Sequence, residues 1–374
     1  MTGEVILRAQ GLTRHFGGEG DLVARGLMRL GLAKPRPVVR AVEEVSFDLH
    51  RGEVLGVVGE SGCGKSTLGR MVAGLLPPSA GRLDLPGGVA TGRGAGAAGQ
   101  GGGAGTANGT GPTDADTQDR GAALPMQMIF QDPYASLNPR KRVRDLIGEA
   151  PRVHRIAKPG EIGTYVQDMM ERCGIDPGYR DRFAHEFSGG QRQRIGIARA
   201  LAVTPEILVC DEAVSALDVS IQAQILNLFM DLRDEFGLTY LFISHDLAVI
   251  EHIADRVLVM YLGRVVESGP TEALFSDPAH PYTRSLIEGV PRLDRRRKVF
   301  APIEGDIPSP LDPPSGCAFH PRCPLAVARC VSEPPALRDM GQGRLAACHL
   351  AGAPSQTDAT DTEGETAWPA TPTG

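Results

Sequence analysis

The stretch GESGCGKST, residues 59–67, constrains this chain more than any other. It fits the spacing GxxxxGK[ST] at Gly59, Gly64, Lys65 and Ser66, with the apolar EVLGVV leading in and TLGRMVAGLL leading out. That order predicts a strand, a tight glycine-rich loop and a helix. Ser61, Gly62, Cys63 and Thr67 complete the loop with little side-chain bulk. Consecutive backbone N–H groups and a helix N-terminus then face one point, which is how a main chain binds phosphate. On this reading Lys65 reaches the β- and γ-phosphates of a nucleoside triphosphate, and the Ser66 hydroxyl holds Mg²⁺. Without nucleotide, Lys65 is expected to face solvent.

Two further apolar runs, ILVCDE (207–212) and YLFISH (240–245), resemble the lead-in to the loop. Short, β-branched runs of this kind mark strands buried on both faces of a parallel sheet, and helical stretches between them make the expected class α/β. ILVCDE ends in two carboxylates. Asp211 is placed to bind Mg²⁺ through water, and Glu212 to orient or polarise an attacking water, so hydrolysis of the triphosphate is the reaction implied.

Composition narrows the partners. A formal net charge of −6 gives no footprint for general nucleic-acid binding. No secretory leader is visible, and nowhere do about 18 apolar residues run together, so a cytoplasmic location is expected. Residues 87–124 are glycine-rich with almost no large apolar side chain, which predicts a flexible insertion. The tail 351–374 predicts disorder for the same reason. The segment 21–37 mixes Leu and Met with basic residues and fits an inserted loop or a membrane-facing surface, and RRRK (295–298) fits a solvated face or a lipid contact.

FSGGQRQRIGIARAL (187–201) separates the families that share such a phosphate loop. It resembles the signature of ABC-transporter ATPases, with Phe187 where leucine is more usual. Ser188, Gly189, Gly190 and Gln191 open a helix whose bare N-terminus is a second anion site. In that family this site contacts the γ-phosphate held by a partner subunit, so ATP is sandwiched between two chains. The resemblance also implies that Gln131, in MIFQDPYASLNPR, is the Q-loop glutamine and a Mg²⁺ ligand with Ser66 and Asp211. By the same match SALD (215–218) is the D-loop and His245 the switch histidine that contacts the γ-phosphate. Phe16 is the candidate to stack on adenine. Ala213 stands where the family usually has proline.

QDPYASLNPR, DEAVSALDVSIQAQILNL, HPYTRSL (280–286) and CAFHPRCPLA look like ATP-binding subunits of the oligopeptide/dipeptide/nickel permease branch. What that implies is an ABC-type P-loop ATPase fold over residues 1–270, with a helical subdomain at about 133–187, and a small cysteine-containing C-terminal extension over 271–350. It also implies an importer: a second ABC ATPase subunit, a related but non-identical chain, two membrane permease subunits and an extracytoplasmic substrate-binding protein, with this chain on the cytoplasmic face of the membrane. A non-transport ABC ATPase acting on nucleic acid or ribosomes is the alternative, and a redox or metal-sensing regulator is a third reading that rests on the extension alone.

The extension gathers Cys317, Cys323, Cys330 and Cys348. Disulfides are disfavoured in the cytoplasm, and the close cysteine pairs of common zinc sites are missing, so an iron–sulfur cluster, zinc and no metal all stay open. The resemblance implies a [4Fe-4S] cluster, with His320 and His349 as reserve ligands if the metal is Zn²⁺. Such a cluster would fasten the extension to itself.

Overall fold

The computed structural model describes residues 3–17, 37–85, 88–91, 126–290 and 305–352. The expected insertion beyond residue 91, nearly all of segment 21–37, RRRK 295–298 and the tail beyond residue 352 lie outside them.

Within the described residues the strands are β1 (Val5–Phe16), β2 (Val39–His50), β3 (Val54–Val58), β4 (Ala80–Leu85), β5 (Gly88–Thr91), β6 (Met126–Ile129), β7 (Ile207–Asp211), β8 (Thr239–Ile243), β9 (Arg256–Tyr261), β10 (Arg264–Pro270), β11 (Arg338–Gly341) and β12 (Arg344–Ala346). They form two sheets, ordered β2-β1-β4-β5 and β11-β12-β10-β9-β3-β8-β7-β6. The pairs β9–β3, β3–β8, β8–β7 and β7–β6 are parallel, so the centre of the larger sheet is the parallel sheet the apolar runs required.

Those runs are buried throughout because each face of the larger sheet meets a different layer. Val54 and Val58 of β3, Leu208 and Cys210 of β7, and Tyr240 and Phe242 of β8 enter a core shared with the helices Gly189–Leu201 and Val219–Phe236. Their neighbours Leu55, Val57, Val209, Leu241 and Ile243 enter a second core, closed by the smaller sheet and the helix Lys65–Val72. Alternation along a strand thus sends successive side chains into two cores, and both must be apolar. The helices Pro133–Ser136, Val143–Val153 and Ile162–Arg172 lie between β6 and the helix Gly189–Leu201, with Val143, Ile147, Val166 and Met170 buried beside it.

Two expectations need correction. The glycine-rich stretch begins with a strand, not a loop: β5 pairs antiparallel with β4, Leu85 opposite Gly88, through main-chain hydrogen bonds. The extension, in turn, is not fastened only to itself. β12 pairs with β10, Glu267 opposite Ala346, and β11 follows outside it, so the C-terminal segment lengthens the larger sheet.

Candidate nucleotide site

The loop 59–67 leaves the C-terminal end of β3 and turns into the helix Lys65–Val72. Two of its glycines have a steric reason. Gly64 has φ +104°, and a Cβ there would lie 2.0 Å from the Ala41 carbonyl oxygen; at Gly59 it would lie 2.2 Å from that of Met260. Neither space admits a side chain. Cys63 is buried in the same turn, and burial pushes its thiol above the ordinary range, so it packs as a neutral group. Lys65 departs from expectation. It is only 4% exposed, and its ammonium donates to the carbonyls of Gly59 at 2.7 Å and Glu60 at 3.0 Å. The loop's own carbonyls draw the charge inward, because a buried ammonium must be hydrogen-bonded.

Across from the loop stand the two carboxylates. The Ser66 hydroxyl donates to Asp211 Oδ1 at 2.7 Å, while burial raises the Asp211 pKa against that bond. Glu212 follows with φ +49°, and its N–H donates to the Ile243 carbonyl at 3.0 Å. This left-handed turn frees its side chain from the strand direction. Glu212 Oε2 accepts a hydrogen bond from Gln131 Nε2 at 2.7 Å and lies 3.4 Å from His245 Nδ1. A cleft of ≈ 270 Å³ is lined by Ser61, Gly62, Gly64, Lys65, Ser66 and Thr67 together with Gln131 and Glu212. Asp211 joins it through Ser66, and His245 through Glu212.

The remaining candidates stand apart. Phe16 ends β1 opposite Val39, a residue of the cleft wall, but its ring is 38% exposed and carries the Arg14 guanidinium 4.8 Å from its centroid. Ser188 caps the helix Gly189–Leu201: its hydroxyl accepts the Gln191 N–H at 3.4 Å, and Gln191 Oε1 accepts the Ser188 N–H at 3.1 Å. A Cβ on Gly190 would meet Ile221 at 2.6 Å, so that glycine seats the helix end on its neighbour. Ser188 and Gln191 are exposed, and none of residues 188–191 lines the cleft.

The family model "ABC transporter" matches residues 42–215, and "Oligopeptide/dipeptide transporter, C-terminal region" matches 266–330. A probable peptide ABC transporter ATP-binding protein of Sinorhizobium fredii is 47% identical over 93% of this chain and 90% of its own length. The chain belongs to the ABC-transporter ATPases. A di/tripeptide transport ATP-binding protein, DppF, of Pseudomonas aeruginosa is 46% identical over 93% of this ABC ATPase and 98% of its own length. Among solved structures, the ATP-binding cassette MJ0796, a post-hydrolysis dimer bound to ADP and Pi, superposes with a TM-score of 0.54 at 20% identity, covering 71% of this chain and 98% of that one, and so shares its fold. The nucleic-acid alternative gains no support from these relatives.

In this ABC ATPase the four extension cysteines are free, with Cys330 and Cys348 buried and Cys317 and Cys323 half-buried. Burial raises Cys317 above the ordinary thiol range and carries Cys323 to about 11, and the Cys317 N–H donates to the Cys330 carbonyl at 2.8 Å. Among the described residues, however, no group of three or more His, Cys, Asp or Glu side chains is arranged to hold a metal ion. Each reserve histidine has one ring nitrogen on a backbone carbonyl, His320 on Cys317 and His349 on Glu333, both at 2.9 Å.

The HPYT motif at 280–283 has a structural role of its own. Buried Glu267 accepts the N–H groups of Ala279 and His280 at 2.8 and 2.9 Å. Burial lowers His280 to about 4, leaving its neutral Nδ1 to accept the Tyr282 N–H at 3.0 Å. Tyr282, fully buried, then accepts the Glu60 N–H of the phosphate loop on its hydroxyl at 2.9 Å. Pro310 also reaches the cleft wall and accepts the Arg40 N–H at 3.3 Å.

Proposed function

We propose that this ATPase binds MgATP in the cleft and spends it on import of peptides or similar solutes through membrane permeases. The observation that carries the reading is the Glu212 carboxylate, held by Gln131 and next to His245, beside the Ser66–Asp211 pair. The loop N–H groups and Lys65 bind the β- and γ-phosphates. Ser66, Asp211 and Gln131 offer the hard oxygen donors that suit Mg²⁺, which when bound neutralises phosphate charge. Glu212 takes the proton of the attacking water, and His245 keeps its carboxylate aimed and reaches for the γ-phosphate. Phe16 offers a face for adenine once Arg14 moves aside.

Ser188, Gly189, Gly190 and Gln191 act on the partner's nucleotide. Their exposed helix end, outside this chain's own cleft, supports that role. The partners are then a related ATPase chain, two permease subunits and an extracytoplasmic binding protein. The names of the relatives support peptides as cargo, and no helix among the described residues is long and apolar enough to cross a membrane, which agrees with attachment to permeases at the cytoplasmic face. The test is to purify the complex from membranes and measure its ATPase. Co-purification with a permease pair and stimulation by peptide with binding protein are expected; stimulation by nucleic acid instead would favour the other class.

Cys317, Cys323, Cys330 and Cys348 close on an iron–sulfur cluster in this reading. The Cys317 N–H bond to the Cys330 carbonyl at 2.8 Å supports it, and thiolates suit iron. Protein purified without oxygen is expected to be brown with about four irons per chain. Serine at any one of the four positions should bleach it, whereas Cys173→Ala, deep in the helical core, should not. Stoichiometric zinc in colourless protein, or no metal, would sink the cluster.

A further inference from the structure

Glu60 is the second residue of the phosphate loop, and each of its polar groups is held. Its N–H donates to the Tyr282 hydroxyl, and its carbonyl accepts from Lys65. Its carboxylate receives both arms of Arg322, at 2.7 and 2.9 Å. Two of these three partners come from the C-terminal segment. Arg322 is no surface strap: its side chain is 4% exposed, against 21% for Glu60, and Nη1 also lies 3.4 Å from the Tyr261 hydroxyl. The turn that carries it, His320–Arg322, is anchored by Phe319, whose buried ring lies 5.3 Å from those of Tyr261 and Tyr282 and 5.8 Å from that of His280. A bidentate, largely buried guanidinium–carboxylate pair on a pinned turn fixes position as well as charge.

We propose that Arg322 is a positioning residue for ATP: by holding the Glu60 carboxylate it fixes the loop 59–67, and through the Glu60 carbonyl it fixes Lys65, in the geometry that receives the phosphates. The proposal rests on that loop being the nucleotide site. Arg322 touches no phosphate itself, since its guanidinium is committed to Glu60. Cys317 and Cys323 flank the same turn, so whatever immobilises these thiols also immobilises the residue that sets the loop. The extension is thereby a working part of the ATP site.

The experiment is titration of a fluorescent ATP analogue into the assembled complex carrying Arg322→Ala, Arg322→Lys, Glu60→Gln or the Arg322→Ala/Glu60→Gln double substitution. Arg344→Ala serves as comparison, because Arg344 lies on β12, which pairs with β10 of the body, and holds Asp277 away from the loop. Arg322→Ala and Glu60→Gln should each weaken binding by roughly tenfold, the usual scale of coupling between linked groups. The double substitution should be no weaker than the worse single, as expected of one shared interaction. Arg322→Lys, a point charge in place of a fork, should fall between wild type and alanine. Arg344→Ala should lower the melting temperature and keep the affinity. Wild-type affinity in Arg322→Ala, additive losses in the double, or an equal loss in Arg344→Ala would overturn the proposal. If Arg322→Ala fails to fold, Arg322→Lys and Glu60→Gln carry the test. Lys65→Ala, run alongside, separates the two levels: analogue binding and ATPase rate both undiminished there would refute the nucleotide-site assignment itself.

Discussion

Replacing Glu212 by glutamine is expected to leave ATP bound and turnover stalled, with kcat lower by roughly 10²–10⁴-fold, the range attributed to a positioned general base. The geometry explains why binding survives. Glutamine keeps the length of the side chain, and its amide oxygen still accepts from Gln131, which now meets Glu212 Oε2 at 2.7 Å. The left-handed backbone at φ +49° is set by the Glu212 N–H bond to Ile243 and does not depend on the carboxylate. An amide, however, takes no proton from water. Steady-state ATPase of the purified complex and analogue binding, measured on one preparation, check both halves. With ATP, two chains should remain associated, because the sandwiched nucleotide is no longer cleaved. A rate within about threefold of wild type would assign the base to another residue.

Much of this site was legible because its parts are local. A phosphate loop needs a strand, small residues at fixed offsets and a helix, all within one short stretch, and the acid pair needs only a strand that ends on it. What escaped depends on distance in the sequence. Glu60 and Arg322 are 262 positions apart, and nothing in either neighbourhood forecasts their pairing, although HPYT and the cysteine motif already marked the segment that supplies it. Side-chain direction was equally hidden. Lys65 was expected to face solvent because its role is to meet phosphate, but the carbonyls of Gly59 and Glu60 satisfy it inside. Three of the strands that the sequence does not announce share a cause. Arg338–Gly341, Arg344–Ala346 and Gly88–Thr91 carry no apolar alternation; each exists because a neighbouring strand, β12, β10 or β4, offers main-chain partners. Composition is blind to such pairing. The core strands, by contrast, announced themselves, because both faces of β3, β7 and β8 had to be apolar.

Lys65→Ala is expected to reduce ATP binding or hydrolysis on the order of 10²-fold or more, since it deletes the one side-chain cation of the loop, to which the proposed function assigns the β- and γ-phosphates. The buried position of the ammonium adds a second effect that a solvent-facing lysine would not produce. With its donor gone, the buried Gly59 carbonyl loses its partner inside the turn, while that of Glu60 keeps the Cys63 N–H at 3.3 Å, and a buried acceptor left unsatisfied costs about 1–3 kcal/mol. The substituted protein should therefore melt at a lower temperature even without nucleotide. Lys65→Met separates the two losses. It refills the apolar volume of the lysine stem and should recover part of the stability that alanine gives up to the cavity, but none of the phosphate charge. Thermal melts of both variants, with and without MgATP, read the two effects independently. The wild type should gain stability from MgATP by mass action, and both variants should gain far less. An unchanged ATPase rate in Lys65→Ala, with assembly confirmed, would remove Lys65 from the catalytic set. A nucleotide-free melting temperature equal to that of wild type would instead mean that water, admitted into the turn, replaces the ammonium at the two carbonyls.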